Sequence, residues 1–297
     1  MKAKEARSRV QFKNILFMTD FSPAASAAVP FTAELTKKYG AKLHALYVRP
    51  PVVNPMTPPL TWVGLEETAR LEDAQHEKEL ANLFAGFQPE ILIKEGDIWL
   101  SLKAVLEEKN IDLIVLGTRG RSGISKFVLG SIAEEIFRQA PCPVLTVGPN
   151  TAASGEGSGE ITRILFATDF NAESNAAAPY AASLAQECQA YLTLLHVIKA
   201  PKAGDLVQAA DLTKSSTQLL HSLLPAEAEL WCVPEYVVEQ GNPADKIIEV
   251  AARTGAELIV LGVRQPGRLP GAATHLPIAT AHKVVSHATC PVLTIRG

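Results

Sequence analysis

The chain has 297 residues, a formal charge of −3, 47% hydrophobic residues and 20% charged ones. Such a length exceeds the usual single domain, and the balance of apolar to charged residues is that of a folded globule, which excludes disordered and fibrous classes. Without an excess of positive charge there is no global field to gather nucleic acid or anionic lipid, so neither is expected as a partner.

The opening MKAKEARSRVQFKNILF is basic, but its apolar part is short, is interrupted by Lys13 and Asn14, and runs into Asp20, unlike a signal peptide. No run approaches the roughly 20 apolar residues that span a bilayer. A cytoplasmic location is the expectation. NILFMTD then reads as a buried strand, and AASAAVPFTAELTKKYG as a helix closed by Gly40, with Pro30 bending it or marking an irregular turn. KLHALYV is the next strand. The prolines of PPVVNPMTPPL predict an extended or mobile loop able to cover a site, and Leu65 to Phe84 carries both charge signs on a helical frame, an exposed amphipathic helix. ILIKEG is a strand, WLSLKAVLEEKN a helix, DLIVLG a strand, SIAEEIFRQA a helix and PVLTVG a last strand. This alternation predicts a parallel sheet covered on both faces, with ligands beyond the carboxyl ends of the strands near the switch in strand order.

The pattern then returns. Ile15 to Phe21 (ILFMTDF) recurs as Ile164 to Phe170 (ILFATDF), Leu113 to Gly117 (LIVLG) as Leu258 to Gly262, and Cys142 to Thr146 (CPVLT) as Cys290 to Thr294. The offsets are 149, 145 and 148 residues, far too long for a solenoid repeat. The expectation is a tandem of two complete domains, 1–150 and 161–297, joined by a linker at 151–160 whose Gly, Ser and Ala residues lack apolar periodicity.

Chemistry gathers after the fourth strand, in GTRGRSGISKFVLGS, where Gly117, Gly120, Gly130 and Ser131 are spaced G-x2-G-x9-G-S. Glycines can take positive φ and let backbone N–H groups close on an anion, and a helix opening at Ser131 would add its own free N–H groups. Ser131 and Glu134 also fit a capping box, which needs no ligand, and the two roles can coexist. The spacing is neither a Walker loop nor a G-x-G-x-x-G turn. Of the loop cations Arg119, Arg121 and Lys126, Arg119 between two glycines is best placed to meet phosphate. Asp20 can accept hydrogen bonds from ribose hydroxyls or an adenine amino group, or can serve only as a turn residue.

Taken together, ILFMTDFS, the G-x2-G-x9-G-S spacing and a terminal CPVLTV resemble the universal stress protein family in its tandem form, with the first copy similar to the ATP-binding branch. That resemblance covers nearly the whole chain. It implies two Rossmann-like α/β domains of the adenine nucleotide α-hydrolase-like kind, each a five-stranded parallel sheet flanked by helices. It implies that Thr19 and Asp20 border the adenosine and that Val48 contacts the base. Gly117, Arg119, Gly120, Gly130, Ser131 and Ile132 would line the ribose and phosphate path. The ligand implied is ATP, or ADP or AMP, with or without magnesium. A nucleotide-dependent regulatory or binding protein is expected rather than an efficient enzyme, with slow ATP hydrolysis at most, because no residue is an evident general base or metal clamp. The alternatives are a slow ATPase or nucleotidyl enzyme, and a nucleotide-free scaffold acting through its interfaces. The resemblance also suggests that the last strands, ending at Val147 and Ile295, pair across the two domains as a pseudo-dimer, and that whole chains form homodimers.

The second copy keeps Asp169 and Gly262 but continues as VRQPGRLPGAATHLPIATAHK. Gln265, Ile278 and Ala279 stand where Gly120, Gly130 and Ser131 should be, and the loop is three residues longer and rich in proline. No ordinary triphosphate site is expected there. His275, His282 and His287 lack metal-ligand spacing, the four cysteines form no CxxC pair and read as reduced and mostly buried, and His196 reads as a packed ring matching Tyr47.

Overall fold

The computed structural model describes residues 10–51, 62–118, 129–148, 151, 159–198, 206–224, 228, 232–263 and 275–296. In the first half, strand β1 (Asn14–Thr19) is followed by helices α1 (Pro23–Ser26) and α2 (Val29–Tyr39), then β2 (Lys42–Arg49), α3 (Trp62–Leu83), β3 (Glu90–Glu95), α4 (Ile98–Lys109), β4 (Leu113–Gly117), α5 (Ser131–Gln139) and β5 (Val144–Val147). The second half repeats the order with β6 (Arg163–Thr168), α6 (Ala172–Cys188), β7 (Tyr191–Ile198), α7 (Leu206–Leu223), β8 (Glu235–Gln240), α8 (Pro243–Thr254), β9 (Leu258–Val263), α9 (His275–His287) and β10 (Val292–Arg296).

Side chains along β1 explain why the sheet has helices on both faces. Ile15 and Phe17 enter one buried layer and Leu16 and Met18 the other, the period-two alternation of a strand covered on both sides. The first layer packs under α2, α3, α6 and α7, the second under α4, α5, α8 and α9. Both layers draw on residues of both halves, so each runs unbroken from one domain into the other.

Ten strands form one sheet in the order β3-β2-β1-β4-β5-β10-β9-β6-β7-β8. All pairings within a half are parallel, and the two halves meet where β5 and β10 pair antiparallel, Leu145 opposite Leu293. At this joint the Thr146 hydroxyl donates to the Val292 carbonyl at 3.1 Å and the Thr294 hydroxyl to the Val144 carbonyl at 3.2 Å. Because 144 and 292, and 146 and 294, are repeat-related, these reciprocal bonds are what a local two-fold requires. The expected cross-domain pairing of the last strands is therefore present inside one chain.

One expected helix divides. The segment around Pro30 is two helices, α1 and α2, with Pro30 in the first turn of α2, where a missing N–H costs nothing. Gly40 closes α2 with φ +58, the left-handed conformation anticipated for it. The repeat-related Pro179 lies inside an unbroken α6. At the end of the linker, Gly159 has φ +72 and sits so near the Pro30 carbonyl that a Cβ would approach its oxygen to 2.2 Å, so the chain is fastened to α2 before it enters the second domain.

Among the described residues no helix is long and apolar enough to cross a membrane. All four cysteines are free; Cys188 and Cys290 are buried, and Cys142 and Cys232 half-buried. Burial pushes the Cys142 thiol up to about 12, which leaves it protonated and unreactive.

Candidate functional site in the first domain

In the first domain the strand order reverses between β1 and β4, and the ends of these two strands part to leave a crevice. A tight turn finishes β1. The Thr19 hydroxyl accepts the Phe21 N–H at 2.8 Å and the Asp20 carboxylate accepts the Ser22 N–H at 3.0 Å. Phe21 is held at φ +59, a region bulky residues rarely enter, and its ring packs 5.0 Å from Tyr47 and 4.7 Å from His76. The same turn follows β6: Phe170 has φ +63, Thr168 accepts its N–H at 3.0 Å, and its ring lies 4.3 Å from His196. His196 is the packed ring expected of it, with Nδ1 at 2.8 Å from the Thr168 carbonyl oxygen. Repetition of Thr-Asp-Phe in the two copies thus has a local cause, a turn that needs both side chains.

A cavity of about 230 Å³ opens at this crevice. Met18, Val48, Ile98, Leu116 and Ile136 make its apolar walls, and Thr19, Asp20, Thr118 and Ser131 bring polar groups to it. Val48 reaches it because, one residue beyond Tyr47 in β2, it faces the same layer as Met18 and Leu116. Thr19, Asp20, Val48, Gly117, Gly130, Ser131 and Ile132 all line this one cavity. Arg119 and Gly120 lie outside the described residues.

Three readings of the glycine stretch need correction. Gly117 does not supply positive φ; a Cβ there would come within 2.6 Å of the Ala24 backbone, so the residue lets α1 press on β4. Gly262 has the same constraint, 2.3 Å from Ser174 Cα, which is why it survives in a copy whose loop has diverged. Gly130 has φ −61 and ψ 147, open to any residue, and it rather than Ser131 is the N-cap of α5. The capping box is absent, since no side chain caps this helix and Glu134 pairs instead with Arg138 at 2.9 Å.

Those corrections sharpen the electrostatics. Ser131, Ile132 and Ala133 form the first turn of α5, have no intrahelical acceptor for their N–H groups, and all line the cavity. Gly130 donates to the Thr118 carbonyl at 2.9 Å, and Thr118 to Val147 at 2.9 Å, so the glycine loop leaves and returns at adjacent points held to the sheet. The positive end of the α5 dipole therefore meets the crevice. Sequence reading missed Met18, Ala25, Ile98, Leu116, Thr118, Ala133 and Ile136. Met18 was recoverable from strand alternation, whereas Ile98 arrives from α4 through tertiary packing.

The second domain has a crevice in the same place, between β6 and β9, with a cavity of about 390 Å³. The diverged loop, 264–274, lies outside the described residues.

The model of the Universal stress protein family matches residues 11–148 and again 160–296. A universal stress protein of Methanocaldococcus jannaschii is 30% identical over 141 residues, 46% of this chain and 82% of the relative, and one of Thermus aquaticus is 33% identical over 138 residues, 46% and 98%. The crystal structure of a universal stress protein from Archaeoglobus fulgidus superposes with a TM-score of 0.71 at 19% identity, covering 97% of this chain and 99% of that one, which shows a common fold.

Proposed function

Since the chain belongs to the universal stress protein family as two of its domains in tandem, we propose that its first domain binds ATP or a related adenine nucleotide. The protein then works in the cytoplasm as a nucleotide-dependent binding or regulatory protein. The observation that carries this reading is the N-terminus of α5, which has no side-chain cap among the described residues and whose three first-turn N–H groups, without intrahelical acceptors, face an apolar slot at the sheet's switch point. Adenine would lie between Met18, Val48 and Ile98, and the Asp20 carboxylate and Thr19 would meet the ribose. Phosphates would run toward Ser131, Ile132 and Ala133, with Gly120 and Arg119 completing the path. A volume of about 230 Å³ is below that of pockets enclosing a whole drug-sized ligand, which suits a slot for the nucleoside end with the phosphates at its mouth.

Hydrolysis is the weaker reading. Asp20 is the single acidic or basic residue among the described lining residues, and it stands at the nucleoside end. Any magnesium would be carried on the phosphates, and turnover would be slow.

Competition of AMP, ADP and ATP against a fluorescent ATP analogue, with and without magnesium, tests the reading. Phosphates at a helix N-terminus gain up to about 2 kcal/mol, so affinity should rise from AMP to ATP by up to about thirtyfold. Equal affinity for adenosine and ATP would remove the phosphate half of the proposal.

A further inference from the structure

The two crevices differ in where the neighbouring helix begins. Ser131, the first residue of α5, is repeat-related to Ala279, yet α9 starts at His275, four residues and so one turn earlier. At 1.5 Å per residue the free end of α9 is displaced by about 6 Å. Thr280 and Ala281, which line the second cavity, correspond to Ile132 and Ala133, but they sit in the second turn and beyond, where helix geometry gives their N–H groups to carbonyls of the preceding turn. The amides that line the first cavity without an intrahelical acceptor have counterparts that are consumed inside the helix in the second.

The remaining lining points the same way. Asp169 is held by the chain itself: Oδ1 accepts the Asn171 N–H at 3.2 Å and the Ser174 hydroxyl, and Oδ2 accepts the Asn171 side-chain amide at 2.8 Å. The Asn242 side chain caps α8, accepting the Asp245 N–H. No Lys, Arg or His is among the described residues lining this cavity. Its walls divide into an apolar side, Leu195, Val197, Ile247 and Leu261, and a side of hydroxyls and amides around Thr168, Asn171 and Thr280. Ala167 replaces Met18 on the floor, and the volume of about 390 Å³ lies in the range of small-molecule pockets.

We infer that the second-domain crevice is a separate site for an uncharged ligand of nucleoside size, a flat heterocycle against the apolar wall and hydroxyl groups at the polar end. An anion is disfavoured by the missing amides, because the start of α9 does not present free N–H groups where α5 does. This inference does not depend on nucleotide binding by the first domain.

Adenosine is the probe, titrated calorimetrically into the full chain with the first crevice saturated by ATP. The wild type should take up one adenosine per chain, and AMP should bind there at least tenfold more weakly. Ala167→Phe, which fills the floor, and Thr280→Trp, which fills the wall from the half-exposed face of α9, should each weaken adenosine at least tenfold and leave ATP affinity unchanged. Two ATP bound per chain, one of them lost in Ala167→Phe, would overturn the inference. So would an adenosine signal that is absent, or that neither variant diminishes. If ATP binds no form of the protein, the first-domain proposal fails while the adenosine arm still reports on the second crevice.

Discussion

Gly117 and Gly262 are each pressed by helix backbone to within 2.6 Å of where a Cβ would lie. Overpacking of that kind costs about 1–3 kcal/mol, and the cost should be alike in the two domains. Gly117→Ala and Gly262→Ala are each expected to lower the denaturant midpoint by an amount equivalent to that range, and an unchanged midpoint for Gly262→Ala would show that helix spacing is not what fixes these glycines. Identity and spacing of the glycines were legible in the sequence, and so was their position at the crevice beyond the strand ends. Their reasons were not, because a distance of approach between α1 and β4 is a tertiary quantity, and a glycine kept for packing reads the same as one kept for a phosphate. Thr19 and Asp20 teach the same lesson, since the side chains expected at a nucleoside also close the turn that holds Phe21 at φ +59.

At the scale of elements, the change in offset from 145 to 148 announced three extra residues in the second copy, but not that its last helix would begin a turn early and take Pro277 into its first turn. Helix starts are set by which residues cap and which pack, and repeat alignment is silent on both. The opposite end of α5 carries a second asymmetry. Arg296, at the end of β10, donates to the Phe137 carbonyl in the last turn of α5, so the second domain supplies a cation to the negative end of the helix whose positive end faces the first crevice. Its repeat-related position is Gly148, which lies beside the Ala288 carbonyl after α9 and has no side chain to donate. Arg296→Met should lower stability by about 1–2 kcal/mol, the low end for a charged hydrogen bond because the guanidinium is half-buried. Arg296→Lys should recover part of it, both read from the thermal midpoint. A midpoint identical to wild type in Arg296→Met would show that the contact does not support α5.

For the whole molecule, the fold was legible: strand-helix alternation gave the parallel sheets, and the three recurring segments gave the duplication. The continuity of the two halves was legible only through the resemblance that suggested pairing of the last strands, since nothing in the pattern of one copy says what its edge strand will meet. Leu145 and Leu293 lie opposite one another, buried, at the centre of this joint, with both hydrophobic layers passing through it. The halves should therefore unfold together. Leu293→Asp places an unpaired carboxylate in that core, a change costing several kcal/mol, and should destabilise both halves in a single transition followed by near-ultraviolet and far-ultraviolet dichroism alike. Two separate transitions in the wild type would contradict the shared core. The joint also means that the proposed nucleotide binding is a matter for the intact chain, with point variants rather than separated halves as the means of testing it.

The most direct measurement is a calorimetric titration of ATP into the full-length protein and its Gly130→Val variant. Gly130 has backbone angles that valine adopts freely, so the fold should survive while the added side chain crowds the mouth of the cavity at the start of α5. The account predicts one ATP per chain in the wild type and at least a tenfold loss of affinity in the variant, with an unchanged dichroism spectrum. No binding at millimolar ATP, or an affinity indifferent to Gly130→Val, would contradict it.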